Sequence, residues 1–152
     1  MTVSTAGGSP FALASEDRAR LAERVAAAVR LARRERRRVI ASVDVAIEAA
    51  VDVSAVVLAS RGRDDRFFCL EQRDRGEFAL ATLGAAELVE AAGPRRFADA
   101  AAACRALGHG ALTDTDGPRW VGGFAFAPDG GSSPEWASLA PAQLVLPEVV
   151  LW

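Results

Sequence analysis

Lysine is missing from this chain: every one of its 18 basic residues is an arginine. That absence removes, for the chain taken by itself, any mechanism built on a lysine amine, whether as general base, Schiff-base nucleophile or P-loop phosphate ligand. Histidine is almost missing too. His109 stands alone between two glycines in ALGHGAL and is expected in a loop just past a helix end. A Ser-His-Asp arrangement would have to use it as proton carrier, and no G-x-S-x-G accompanies it. Cysteine is scarce: Cys69 and Cys104 lie far apart, without C-x-x-C spacing and in apolar surroundings. Neither a disulfide framework nor a zinc site is expected, and both are read as buried thiols. No apolar run reaches the roughly 18–20 residues of a membrane span, and MTVSTAGGSPFALAS lacks the basic start and apolar core of a signal peptide. The expected location is the cytoplasm.

What remains is the composition of a globular domain, 51% hydrophobic and 25% charged, in 152 residues. Residues 1–14 are rich in Gly, Ser, Thr and Ala and are expected to be flexible; residues 15–152 read as a single domain. Ser15 is a candidate N-cap ahead of Glu16 and Asp17, and Leu21, Val25, Val29 and Ala32 then recur at helical spacing as the expected inward stripe. The helix is expected to run into RLARRERRR, Arg30 to Arg38, where cations suit the C-terminal dipole. Residues 18–38 hold nine Arg against two Glu, enough to raise nucleic-acid binding as an alternative. A solvated helix face is preferred, because no aromatics are interleaved and the net charge is −2. VIASVDVAI (39–47) alternates as a strand does, VSAVVLASR reads as a short helix, and RFFCLEQ and EFALATLG flank a hairpin corner at Gly76. GAAELVEAA (84–92) reads as a short helix, and RRFADAAAACRALG (95–108) as a stronger one with Phe97, Ala100, Ala101, Cys104 and Leu107 on its apolar face and Gly108 as C′ residue. AQLVLPEVVLW closes as an apolar strand that Pro147 should bulge or confine to an edge. The succession predicts an α+β fold, a mainly antiparallel sheet with helices packed on one side.

RWVGGFAFAPDGG (119–131) poses the functional question. A dinucleotide cradle needs G-x-G-x-x-G between strand and helix, and a P-loop needs G-K-[ST]; neither pattern is present. Gly122 and Gly123 lie instead among the strand formers Trp120, Val121, Phe124 and Phe126. They are expected to shape a central strand by letting another backbone come close, so that Gly123→Val should destabilise the fold more than it alters any ligand binding.

RFFCLEQRDRGEFALATLGAA, then RWVGGFAFAP, then a Trp-containing loop and AQLVLPEVVLW, in that order and at those distances, resemble the N-terminal part of isochorismate synthase. That enzyme is in the chorismate-utilising family with salicylate synthase, anthranilate synthase component I and aminodeoxychorismate synthase. The likeness covers residues 39–152; FF…EQ…RG…LG and GGFAF carry most of it, while Cys69 departs from the aromatic expected there.

The resemblance implies a Mg²⁺-dependent transposition in the complete enzyme, serving menaquinone or siderophore biosynthesis. Water attacks C2 of chorismate and the C4 hydroxyl leaves, with a lysine activating the water, a glutamate protonating the leaving group and further glutamates holding the metal. Hydroxide needs general acid help to depart, and a hard cation wants oxygen ligands. Those groups belong to a C-terminal chorismate-binding half. No catalytic, cofactor-binding or metal residue is therefore assigned in this chain, and it is expected to be inactive alone. Glu71, Glu77, Glu135 and Glu148 read as isolated surface carboxylates, and Trp120, Gly122, Gly123, Phe124 and Pro147 as structural positions. The apolar ending at Val150, Leu151 and Trp152 suggests a fragment, with the C-terminal half as its partner and self-association through the last strand. A small-molecule-binding or regulatory module and an unrelated α+β protein are also compatible with the same residues.

Overall fold

The structure, a computed structural model, describes residues 11–48, 50–72, 74, 76, 78–114, 117–131 and 134–152. Most of the flexible N-terminus expected from the sequence, and Glu77, lie outside the described residues. Helix α1 spans Ser15–Glu35. Ala14, not Ser15, occupies the N-cap, and no side chain caps the helix; Arg18 instead donates to the Leu13 carbonyl at 3.2 Å. The helix stops at Arg36, which turns left-handed at φ 50°, so Arg37 and Arg38 lie beyond it. Its orientation also differs from expectation. Ala28 is its one buried residue, and Val25 and Val29 face outward, because the helix is turned to bring Arg24 onto the Ser42 carbonyl and Asp114.

Residues 39–47 are extended but form no strand. Their pairing is an isolated parallel bridge between Ala41 and Leu112, with Ser42 N–H donating to Leu112 O at 3.0 Å and Leu112 N–H to Ile40 O at 2.9 Å. Alternation signalled an extended chain; among the described residues no neighbouring ladder completes it.

Helix α2 (Val53–Ser60) is capped by Asp52, whose carboxylate accepts from Ala55 N–H at 2.9 Å. Strands β1 (Phe67–Gln72) and β2 (Phe78–Leu83) form the expected hairpin, in register from Phe67 opposite Leu83 to Gln72 opposite Phe78. Val53 and Val57 of α2 pack on Ala81, Cys69, Leu83 and Leu151. The chain next forms β3 (Glu87–Ala91), where a helix was expected. Ala, Glu and Leu favour helix as isolated residues, but five cross-strand positions outweigh that local preference. Helix α3 (Arg96–Gly108) follows. It includes Gly108, and His109 is the exposed residue at its C-cap. The last strands are β4 (Val121–Phe124), β5 (Ala142–Leu146) and β6 (Val149–Leu151).

The fold is α+β, with its antiparallel strands in two sheets ordered β1-β2-β6 and β3-β5-β4. The chain passes between the sheets twice, from β2 to β3 through residues 84–86 and from β5 to β6 through Pro147 and Glu148. These passages run side by side: Ala86 N–H donates to Leu146 O at 2.8 Å and Glu148 N–H to Leu83 O at 3.1 Å. Each carries a residue suited to a corner. Gly84 sits at φ 76°, where a Cβ would also meet the Glu148 side chain at 2.8 Å, and Pro147 has no N–H to give to a ladder. Pro147 is thus buried at a sheet-to-sheet corner, neither at a bulge nor on an outer edge.

Candidate functional site

The glycine pair borders the larger of two concavities found among the described residues. Strand β4 pairs with β5 alone, so it is an edge strand of its sheet, not the central strand expected. Gly122 and Gly123 divide the work between them. A Cβ on Gly122 (φ 153°) would lie 2.0 Å from the Gln143 carbonyl oxygen across the ladder, an impossible approach, whereas one on Gly123 would meet nothing within 4 Å. The close approach assigned to Gly123 therefore belongs to Gly122, and Gly123 opens onto the groove.

The other walls follow from packing. Phe124 turns toward α3 and stacks on Phe97 with ring centroids 4.9 Å apart, which places Phe97 at the rim and not within the apolar core. Trp120 packs into the core beneath α3 with Val89, Ala100 and Ala142. Beyond β4, Phe126 is fully exposed at 105%. Trp136, on the 3-10 turn Pro134–Trp136, lies against Gly131, where a Cβ would sit 2.8 Å from its ring. Phe124, Phe126 and Trp136, with Gly123, Leu139 and Gln143, line a groove of about 720 Å³. None of its lining residues is charged. Gln143 is its one side-chain amide, donating to Glu90 at 2.7 Å and accepting from Arg66 at 3.4 Å.

Arg96 holds this region together, and sequence reading missed it. It is 4% exposed, and its guanidinium donates to the carbonyls of Ala125 (2.8 Å), Phe126 (2.9 Å) and Gly93 (3.4 Å) while lying over the Phe97 ring at 4.2 Å. No carboxylate among the described residues balances it, and its Nε has no partner. A polar side chain is thereby used to clamp the segment after β4 onto the start of α3. The sequence signal was the unusual pairing of Arg95 and Arg96 at a helix start, where cations are disfavoured.

The smaller cleft, about 220 Å³, lies between residues 40–45, the loop 117–119 and the Pro147 corner. Asp44, Arg119 and Glu148 contribute its charge, and the Arg119 guanidinium stacks over Trp152 at 4.3 Å. Behind it, Asp114 accepts from Arg24 at 2.5 Å and from the Asp44 N–H at 2.9 Å. Those bonds hold its carboxyl down at about 2. Asp114 too was missed, hidden in the polar stretch TDTDGP of the sequence.

The remaining candidates are dispersed. Glu71, Glu135 and Glu148 are exposed on β1, the 3-10 turn and the corner. Among the described residues no group of three or more His, Cys, Asp or Glu could hold a metal ion, so the donors present do not fit Mg²⁺. Cys69 and Cys104 are free and half-buried, and burial pushes the Cys104 thiol up. Of the basic run, Arg37 donates to His109 O at 2.6 Å and pairs with Glu35 at 2.7 Å, Arg34 pairs with Glu35 at 3.1 Å, and Arg38 pairs with Glu87. Arg37 and Arg38 thus tie the end of the helix to the rest of the molecule. No helix among the described residues is long and apolar enough to cross a membrane.

A family model described as chorismate binding enzyme matches residues 24–152. The chain belongs to the chorismate binding enzyme family. The match begins within α1, at the arginine that joins that helix to Asp114, and takes in both sheets and both concavities. No curated protein and no solved structure matches the chain.

Proposed function

We propose that this chain is the N-terminal scaffold portion of an isochorismate synthase, catalytically incomplete by itself. The observation that carries the reading is the family match over residues 24–152 in a sequence with no lysine. Isochorismate chemistry requires a general base and a general acid at opposite ends of the transposition. His109, the one histidine, is exposed at the end of α3 and borders neither concavity.

The larger groove supports the scaffold role. Chorismate is a dicarboxylate, and a site for it needs cations or several N–H donors aimed at the carboxylates. The groove offers glycine, aromatic and aliphatic surface with one amide. Such a lining suits apolar packing by the catalytic half far better than it suits a dianion. The contribution of these residues is accordingly to hold shape: Gly122 seats β4 on β5, and Arg96 fixes the following segment. Magnesium would be held by groups outside this chain.

The test is isochorismate formation from chorismate with Mg²⁺, measured for this chain and for the chain continued to the end of its reading frame. Activity confined to the continued protein is expected. Turnover by this chain alone would overturn the scaffold role. Anthranilate or aminodeoxychorismate from the continued protein would leave the family in place and overturn the isochorismate assignment. A frame that stops at Trp152, with no activity, would favour the small-molecule-binding module.

A further inference from the structure

Four of the described strands lie at sheet edges, and three of these are guarded against pairing with another chain. Strand β1 carries Glu71, β3 carries Glu87 and Glu90, and β6 is three residues long, directly after Pro147 and Glu148. The fourth, β4, holds no charge and no proline, and Gly122, Gly123 and Phe124 are all exposed on it. Among the described residues it pairs with β5 alone, so its other side offers backbone groups to a further strand. Beside this edge stand a knob and a hole. The Phe126 ring is fully exposed while its carbonyl accepts from buried Arg96 at 2.9 Å, so the ring projects from anchored backbone. The hole is the larger groove, where a Cβ on Gly123 would meet nothing within 4 Å and where Trp136 and Leu139 stay 57% and 50% exposed. Its lining is uncharged, and Glu90 and Arg66, which meet at Gln143, balance each other.

We propose that a second copy of this chain docks here, the two β4 strands pairing antiparallel across a two-fold axis and Phe126 of each copy entering the groove of the other. A two-fold contact needs a surface complementary to itself. This face meets that need, since knob and hole lie together on it and no lining charge opposes its own image. An extended strand of foreign sequence would find the same edge, but only a copy brings the matching ring. Antiparallel pairing also sets the start of one strand beside the end of the other, and so the end that follows Arg119 beside the end that leads to Asp129, charges of opposite sign. The joined sheet runs β3-β5-β4-β4-β5-β3, with the acidic β3 as the outer strand at both ends. The second copy takes the place proposed above for the catalytic half, and its docking does not depend on the isochorismate assignment.

The test is analytical ultracentrifugation of the full chain over a range of concentrations. A reversible monomer–dimer equilibrium is expected, with amide exchange along β4 slowing as the dimer forms. Gly123→Lys puts a charge on the edge where a Cβ meets open space, and Phe126→Ser removes a fully exposed ring. Circular dichroism should therefore show both variants folded, and each should weaken dimerisation about tenfold. Trp152→Ser, at an exposed residue just beyond β6, should leave the equilibrium unchanged. Four results would each overturn the proposal: a monomer at every concentration up to about 1 mM, growth past the dimer, a dimer indifferent to Gly123→Lys or to Phe126→Ser, or a dimer lost with Trp152→Ser. The readout is mass and not turnover, so none of these results bears on the isochorismate assignment.

Discussion

Of its 21 residues helix α1 buries one, Ala28, whereas the 13-residue α3 sinks Ala100 completely and lies on Val89 and Ala142 with Ala103, Cys104 and Leu107 around them. The longer helix is fastened by charge. Arg20 and Arg24 reach Asp114, Arg24 also reaches the Ser42 carbonyl, Arg20 the Asp44 carbonyl and Arg37 that of His109. The shorter one is fastened by shape, and even its buried arginine works as a geometric clamp. The contrast divides the molecule into a part sensitive to volume and a part sensitive to ionic conditions, because apolar burial is largely indifferent to screening whereas exposed ion pairs are not.

The largest effects are expected on the α3 side. Gly122→Val drives a side chain into the Gln143 carbonyl and should destabilise the protein by at least about 3 kcal/mol, the upper range for single substitutions. Gly123→Ala, one residue away, should change stability by less than about 0.5 kcal/mol, since its Cβ enters open space. Urea unfolding of the two variants decides the matter. Equal losses would mean that β4 is not held by the close approach described. Arg96→Met comes next. The methionine refills the space of the stem, but the Ala125 and Phe126 carbonyls lose their donors, for a loss of about 2 kcal/mol. A more stable variant would show that desolvating the guanidinium costs more than its hydrogen bonds return.

The sequence was legible where a local pattern and its tertiary partner agree. The β1–β2 hairpin and α3 are of this kind, the first by its alternation about the turn residue Gly76 and the second by apolar residues at helical spacing. Residues 84–92 were misread because Ala, Glu and Leu are locally helical and become a strand only when β5 lies alongside. Residues 39–47 were misread for the opposite reason, since the alternation is strand-like while a bridge to Leu112 is all the pairing found among the described residues. The glycine pair was recognisable as a place of close approach. Which member bears it depends on the register with Gln143, a long-range fact that neighbouring letters do not contain. Arg96 and Asp114 escaped notice because a clamp or a latch is defined by partners far along the chain.

On the α1 side the effects are smaller and should respond to ions. Asp114→Asn keeps the shape of the side chain and removes its charge, so amide exchange should quicken along α1 while α3 stays protected. Raising salt to about 1 M, where the screening length is about 3 Å, should move the wild type the same way and the variant hardly at all. Uniform loosening of both helices would abolish the distinction between them.

Acid should reproduce this loosening more gradually. The carboxyl of Asp114 lies at about 2, held down by the hydrogen bond from Arg24 and then by that from the Asp44 N–H, with the Arg24 and Arg20 charges adding to them. A carboxyl depressed on folding contributes stability that is complete above its unfolded value of roughly 3.9 and lost as pH falls through its folded value. The window for releasing α1 through Asp114 therefore runs from about 4 down to about 2. Glu87, lowered chiefly by its hydrogen bond from Arg38, acts with the same sign where the residues after α1 meet β3. Carbon-13 shifts of the Asp114 carboxyl, followed beside the helical shifts of α1, should titrate together with a midpoint near 2. A midpoint near 3.9, or α1 shifts that ignore the titration, would mean that the helix is held by something other than this latch.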